Sequence, residues 1–183
     1  MKKINITTSI IIIILSLITI ISEVDQGLAV ILKDLSIIIT ITAPYLIEKI
    51  FKTKTTENFK LIWIIFIFMT HYLGVICHLY DTCPGFDKIT HTISGLLTAY
   101  VAMLILNHQK QKKKMFNLIF IISFSALCAV CWEVFEFVCN ILVGGDAQKV
   151  VETGVNDTML DMIVALVGSF CFSLWYITIP KTS

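Results

Sequence analysis

The sequence predicts an all-α fold, a polytopic transmembrane helical bundle of about six spans with both termini cytoplasmic. Three observations carry that expectation. Hydrophobic residues make up 57% of the 183 positions and charged residues 15%, and the mean hydropathy is +0.88, a membrane composition. The apolar residues fall into six runs, at about 4–21, 28–50, 59–79, 88–106, 115–143 and 158–179, each near the length a helix needs to cross hydrocarbon. The lysines also alternate in density from one connection to the next, as membrane topology requires. The whole chain, 1–183, reads as a single integral membrane domain.

The first run follows Lys2-Lys3 and is longer than a signal-peptide core. No small-x-small site precedes Glu23-Val24-Asp25, so an uncleaved span is expected. The second carries Lys33-Asp34 near its start, which would let its helix begin at Leu35. Pro44 inside it is tolerable if a neighbour satisfies the carbonyl that proline frees. The third places His71, Gly74 and His78 on one face. The fourth opens at Asp87 and continues through His91, Ser94, Gly95 and Thr98, a polar and small stripe suited to close helix contact. The fifth contains Cys131-Trp132-Glu133-Val134-Phe135-Glu136-Phe137, with Asn140 continuing the acidic face at i+7 from Glu133. The sixth carries Asp157, Asp161, Ala165 and Gly168. Gly144-Gly145 ends the fifth run.

Eleven lysines fall on the side of the N-terminus, the second and fourth connections and the C-terminus; three, Lys33, Lys88 and Lys149, fall on the other. The lysine-rich side is therefore expected to be cytoplasmic. The opposite side is acidic, with Glu23, Asp25, Asp81, Asp146 and Glu152. All 14 basic residues are Lys, so no bidentate arginine clamp exists and an anion would meet only point charges or backbone. The run from His108 to Lys114 is the positive-inside signal of its hairpin, and no nucleic-acid partner is expected. Of six cysteines, Cys77, Cys128, Cys131, Cys139 and Cys171 sit in apolar runs and suit packing, Cys128-x-x-Cys131 included. A Cys83–Cys139 pairing is the one disulfide considered, for an oxidising side.

The isolated polar residues fall at one depth. Glu133 lies about 27 Å up the fifth helix at 1.5 Å per residue, near its outer boundary. Asp87 and His91 begin the fourth helix there, and Asp157 and Asp161 begin the sixth. A charge in hydrocarbon costs at least about 2.5–3.5 kcal/mol on insertion scales, so this convergence suggests a purpose. The acids are expected to be neutralised by a divalent cation or by protonation. In the metal reading His91, Glu133, Glu136 and Asp161 are the ligands, and Zn, Mn, Fe or Mg the ion. Asp87 or Asp157 is then the catalytic base for a metal-bound water, while His78 and Asn140 support the ligands by hydrogen bonds. Asp87 and Asp157 also suit helix N-caps, His71 suits a packed core histidine, and the others suit an interhelical network that only fixes the bundle.

Asp87-Lys-Ile-Thr-His91-Thr-Ile-Ser-Gly95, Trp132-Glu133-Val-Phe-Glu136 and Asn156-Asp157-Thr-Met-Leu-Asp161-Met162 through Gly168 resemble the YjdF-type family of small bacterial inner-membrane proteins. The resemblance spans Phe59 to Gly168, and the first two spans match only in being hydrophobic. It implies the helical fold, the bacterial cytoplasmic membrane, and importance for Asp87, His91, Glu133, Glu136, Asp157 and Asp161, but no reaction. The Asp-Lys-x-x-His opening is also similar to VanZ-like proteins, associated with glycopeptide resistance. Their second block carries Glu with Gln where this chain has Glu133 and Glu136. Three functions follow as expectations. The preferred one is a metal-dependent enzyme acting on a lipid or cell-envelope substrate from an outward-facing pocket. The second is a proton- or cation-coupled transporter, although the inner halves of helices four to six are poor in polar residues. The third is a non-catalytic envelope or immunity-type protein. Oligomeric state is open.

Overall fold

The computed structural model describes residues 1–22, 28–110, 113–143 and 150–178. Glu23, Asp25, Lys112, Gly144, Gly145, Asp146, Lys149 and Lys181 lie outside them, as do the side chains of Lys33, Asp34 and Glu152. The described residues are mostly helical, with short turns between helices and no strands among them. They form two compact units, Met1–Cys83 and Pro84–Ser183.

The first unit contains α1 (Lys2–Ser22), α2 (Leu28–Ile50), α3 (Glu57–Ile76) and a one-turn α4 (Leu79–Thr82). Helix α2 begins at Leu28 rather than Leu35. Ile37 and Ile41 of α2 pack on Ile64 and Ile67 of α3, with Ile12 and Ile13 of α1 against them. Pro44 lacks the N–H that would bond the Thr40 carbonyl one turn back, and Trp63 Nε1 donates to that carbonyl at 2.8 Å. The expected neighbour is therefore a tryptophan from α3. From Phe68 to Ile76, α3 winds as a π-helix, closed by Cys77 N–H donating to Tyr72 O at 2.9 Å. His78 then takes a left-handed backbone at φ 56° and ends the helix.

The second unit contains α5 (Phe86–His108), α6 (Lys114–Val143), the one-turn α7 (Val150–Thr153) and α8 (Asn156–Thr178). Ala99, Ala102 and Leu106 of α5, Ile121 of α6 and Tyr176 of α8 form its buried core. Helices α5 and α8 run the same way and α6 returns between their ends, so Asp87, Glu136 and Asp157 fall toward one end of the unit. At the other end Tyr176 OH donates to Asn107 Oδ1 at 2.8 Å. Lys110, Lys113 and Lys114 lie in or beside the α5–α6 connection at that end.

Among the described residues, four helical segments are long and apolar enough to cross a membrane: Glu57–Ile76, Phe86–His108, Lys114–Leu142 and Asn156–Thr178. Their exposed side chains are rows of Ile, Leu, Val and Phe, such as Leu127, Val134, Ile163 and Phe170, the surface that lipid tails cover. The six cysteines are free thiols. Of the Cys83–Cys139 pairing considered from sequence, Cys83 is an exposed thiol of the first unit and Cys139 a half-buried thiol of the second.

Candidate functional site

The site lies where α5 and α8 begin. Each helix is preceded by a glycine with a left-handed backbone, Gly85 at φ 82° and Gly154 at φ 64°, a conformation glycine adopts without the steric cost of a Cβ. Asp87 and Asp157 follow in the first helical turns. Beyond them the two helices meet backbone to backbone. A Cβ on Gly95 would strike the Ala165 carbonyl, and one on Gly168 would strike the Thr92 carbonyl. Apolar burial does not drive helices together in lipid, so this close approach is what holds them. It brings the Asp87–His91 face onto the Asp157–Asp161 face one to two turns away.

Lys88 occupies the junction. Its ammonium donates to Asp87 Oδ2 at 2.9 Å, Asp157 Oδ1 at 2.5 Å and Asp161 Oδ1 at 2.7 Å. An ammonium has three N–H bonds, so each serves one carboxylate. His91 Nε2 lies 3.5 Å from Asp87 Oδ1 and 3.7 Å from Asp161 Oδ1. Side-chain exposure rises from 6% at Asp161 through 12% at Asp157, 13% at His91 and 19% at Asp87 to 26% at Lys88. The lysine is thus the most accessible member, and the aspartate on α8 the most enclosed.

The acids of α6 approach from behind. Glu133 is buried, at 5% exposure. Glu136 is half-buried, accepts a hydrogen bond from Trp132 Nε1 at 2.7 Å, and lies within electrostatic range of Glu133, His91 and Asp87. Asn140 is half-buried one turn further along the helix. His78 belongs to the first unit, where its exposed ring pairs with Asp81 at 3.5 Å. His71 is half-buried, with Nε2 3.5 Å from Thr40 Oγ1.

Lys88, from sequence one of three lysines on the outer side, is a member of the site. Its signal was available: it lies inside an apolar run, four residues before Thr92 and seven before Gly95, on the contact face. With Lys88 in place, the aspartates have a third means of neutralisation besides a metal or protonation, a tethered ammonium. The interior of the unit is also more polar than expected. Thr98 Oγ1 donates to Ser125 Oγ at 3.1 Å, and Ser169, Ser173 and Asn117 are buried.

Chemically, five carboxylates and one imidazole surround or back a single ammonium. Asp87, His91 and Asp161 each bring a ligand atom within 4.8 Å of the other two. A nitrogen and carboxylate oxygens of this kind suit Zn, Mn or Fe, whose bonds are about 2.0–2.2 Å.

A family described as "Predicted membrane protein (DUF2238)" matches residues 4–182. An "Uncharacterized protein" of Thermotoga maritima is 29% identical over 146 residues, which is 76% of this chain and 71% of that protein. No solved structure matches the chain. The chain belongs to the DUF2238 family of predicted membrane proteins.

Proposed function

We propose that this integral membrane protein binds a divalent cation through Asp87, His91 and Asp161, with Glu136 and Glu133 of α6 behind them. We assign it metal-dependent chemistry on a lipid or cell-envelope substrate. The carrying observation is the grouping of one imidazole and two carboxylates from two helices within 4.8 Å. Asp157 would then act as base on a metal-bound water, with Asp87 moved from that role to the ligands and Asn140 supporting Glu136. The substrate class rests on depth, since the cluster lies at the ends of apolar spans, where lipid headgroups lie.

In this reading the protein is YjdF-type, with six spans, both termini in the cytoplasm and the site facing outward across a bacterial inner membrane. Helices α1 and α2, of 21 and 23 residues, supply the two further spans, and the lysine distribution supplies the orientation. The VanZ likeness rests on the Asp87–His91 opening alone and carries no activity. Elemental analysis of detergent-purified protein tests the cation. Stoichiometric Mn, Fe or Zn that is lost in His91→Ala and Asp161→Asn supports it. A wild type without metal after add-back of Zn, Mn, Fe and Mg counts against it.

A second reading, cation-coupled transport, is favoured by the buried hydroxyls of Ser125, Ser169 and Ser173, which continue inward from the acids. Flux into proteoliposomes that Asp161→Asn abolishes would select it over hydrolysis.

A further inference from the structure

We propose that Lys88 is a tethered cation competing with the free divalent ion for the same carboxylates, so that metal loading is an exchange in which the ammonium leaves. The inference rests on the metal reading above. Three observations carry it. The ammonium lies within 2.9 Å of Asp87, Asp157 and Asp161, and two of these carboxylates belong to the trio that can hold a metal. A positive charge is therefore already favoured at that point, and an ion bonded to Asp87 and Asp161 would stand too close to an ammonium held by both.

Lys88 also has somewhere to go. It is the most exposed member of the cluster, and its stem borders an open, mainly apolar surface of α5 shared with Ile89, Thr92 and Ile93. A lysine stem lies readily along such an apolar wall while its head reaches the polar boundary. Finally, one ammonium faces three aspartates at hydrogen-bond distance, so a divalent ion offsets more of their charge. Lys88 keeps the metal-free site from presenting bare carboxylates to hydrocarbon, and by the same contacts weakens metal binding.

The test uses the full chain in detergent with Mn²⁺ as probe, free ion being read by electron paramagnetic resonance. Lys88→Gln removes the charge and keeps a polar side chain; it should bind Mn²⁺ at least tenfold more tightly than wild type. If wild type binds and Lys88→Gln binds equally or more weakly, the exchange idea is overturned and the metal site stands. If neither binds, both are overturned. A measurement on wild type covers the case in which the variant does not fold. Acetylation of Lys88 by acetic anhydride, followed by mass spectrometry, should quicken at least threefold when Mn²⁺ is added. An unchanged rate overturns the exchange.

Discussion

Each unit of the molecule holds a lysine among acids, and the two differ in how completely the acids are satisfied. In the first, Lys60 is buried and meets Glu48 Oε1 at 3.1 Å and Glu57 Oε1 at 3.2 Å, with its ammonium 4.8 Å from the centre of the Tyr45 ring. Both glutamates receive further donors. Thr55 gives its N–H and hydroxyl to Glu48 at 3.0 and 2.6 Å, and Asn5 Nδ2 reaches Glu57 Oε2 at 3.0 Å. That network joins α1, α2 and α3 and leaves little acceptor capacity over. In the second unit Lys88 serves three aspartates while His91 stands 3.5 Å or more from two of them, and two further carboxyl groups, Glu133 and Glu136, come from α6. Lysine among acids is a structural tie where donors fill the acceptors, and a binding site where acceptors outnumber donors.

The largest effect expected is on the packing that makes the second cluster possible. Gly95→Leu drives a side chain into the Ala165 backbone and should cost about 3 kcal/mol or more, read as loss of thermal stability together with Mn²⁺ binding. Gly74→Ala in the first unit meets the Tyr80 ring, a side chain that can turn aside, and should cost clearly less. Equal losses would mean that backbone contact at Gly95 is not what holds α5 to α8.

Next comes the lysine comparison itself. Lys60→Met leaves two glutamates without their cation and should destabilise by about 3 kcal/mol, the low end for breaking a buried pair because both acids keep some exposure. Mn²⁺ should not restore it. Lys88→Met should also lower the unfolding temperature, but millimolar Mn²⁺ should restore it. Identical behaviour of the two variants with Mn²⁺ would erase the distinction drawn between the clusters. A smaller change is expected from Asp161→Asn, which should weaken Mn²⁺ binding at least tenfold, about 1.4 kcal/mol. Glu48→Gln, in the first unit, should leave Mn²⁺ affinity as it was.

Much of this was legible in the sequence for a simple reason. Hydrophobic length fixes a spanning helix, and all six apolar runs are helical within two or three residues of the expected bounds. Helical periodicity puts Asp87 with His91 and Asp157 with Asp161, and the small residues Gly95, Ala165 and Gly168 show which faces touch. What periodicity does not show is which neighbour neutralises a charge. Lys88 and Lys60 entered the topology count as loop charges, because a count of lysines is blind to partners; both are members of ion-pair networks. The π-helical stretch from Phe68 to Ile76 carries no proline, and Gly74 within it does not by itself announce a wider helix. Nor does periodicity show that a left-handed backbone at His78 ends the third helix, with its ring 3.5 Å from Asp81.

The smallest effect concerns Pro44, where the first unit repairs a fault in its own backbone. Trp63→Phe keeps the ring packing against Phe59 and Phe66 but removes the N–H that serves the Thr40 carbonyl. It should cost about 1 kcal/mol, the net value of one hydrogen bond. The cost depends on proline. In Pro44→Ala the restored backbone N–H can bond the Thr40 carbonyl, the indole becomes redundant, and Trp63→Phe should then cost about 0.5 kcal/mol or less. A double-mutant cycle in thermal unfolding measures that coupling. If the tryptophan matters equally in both backgrounds, its role is packing, and the carbonyl freed by Pro44 has found another partner.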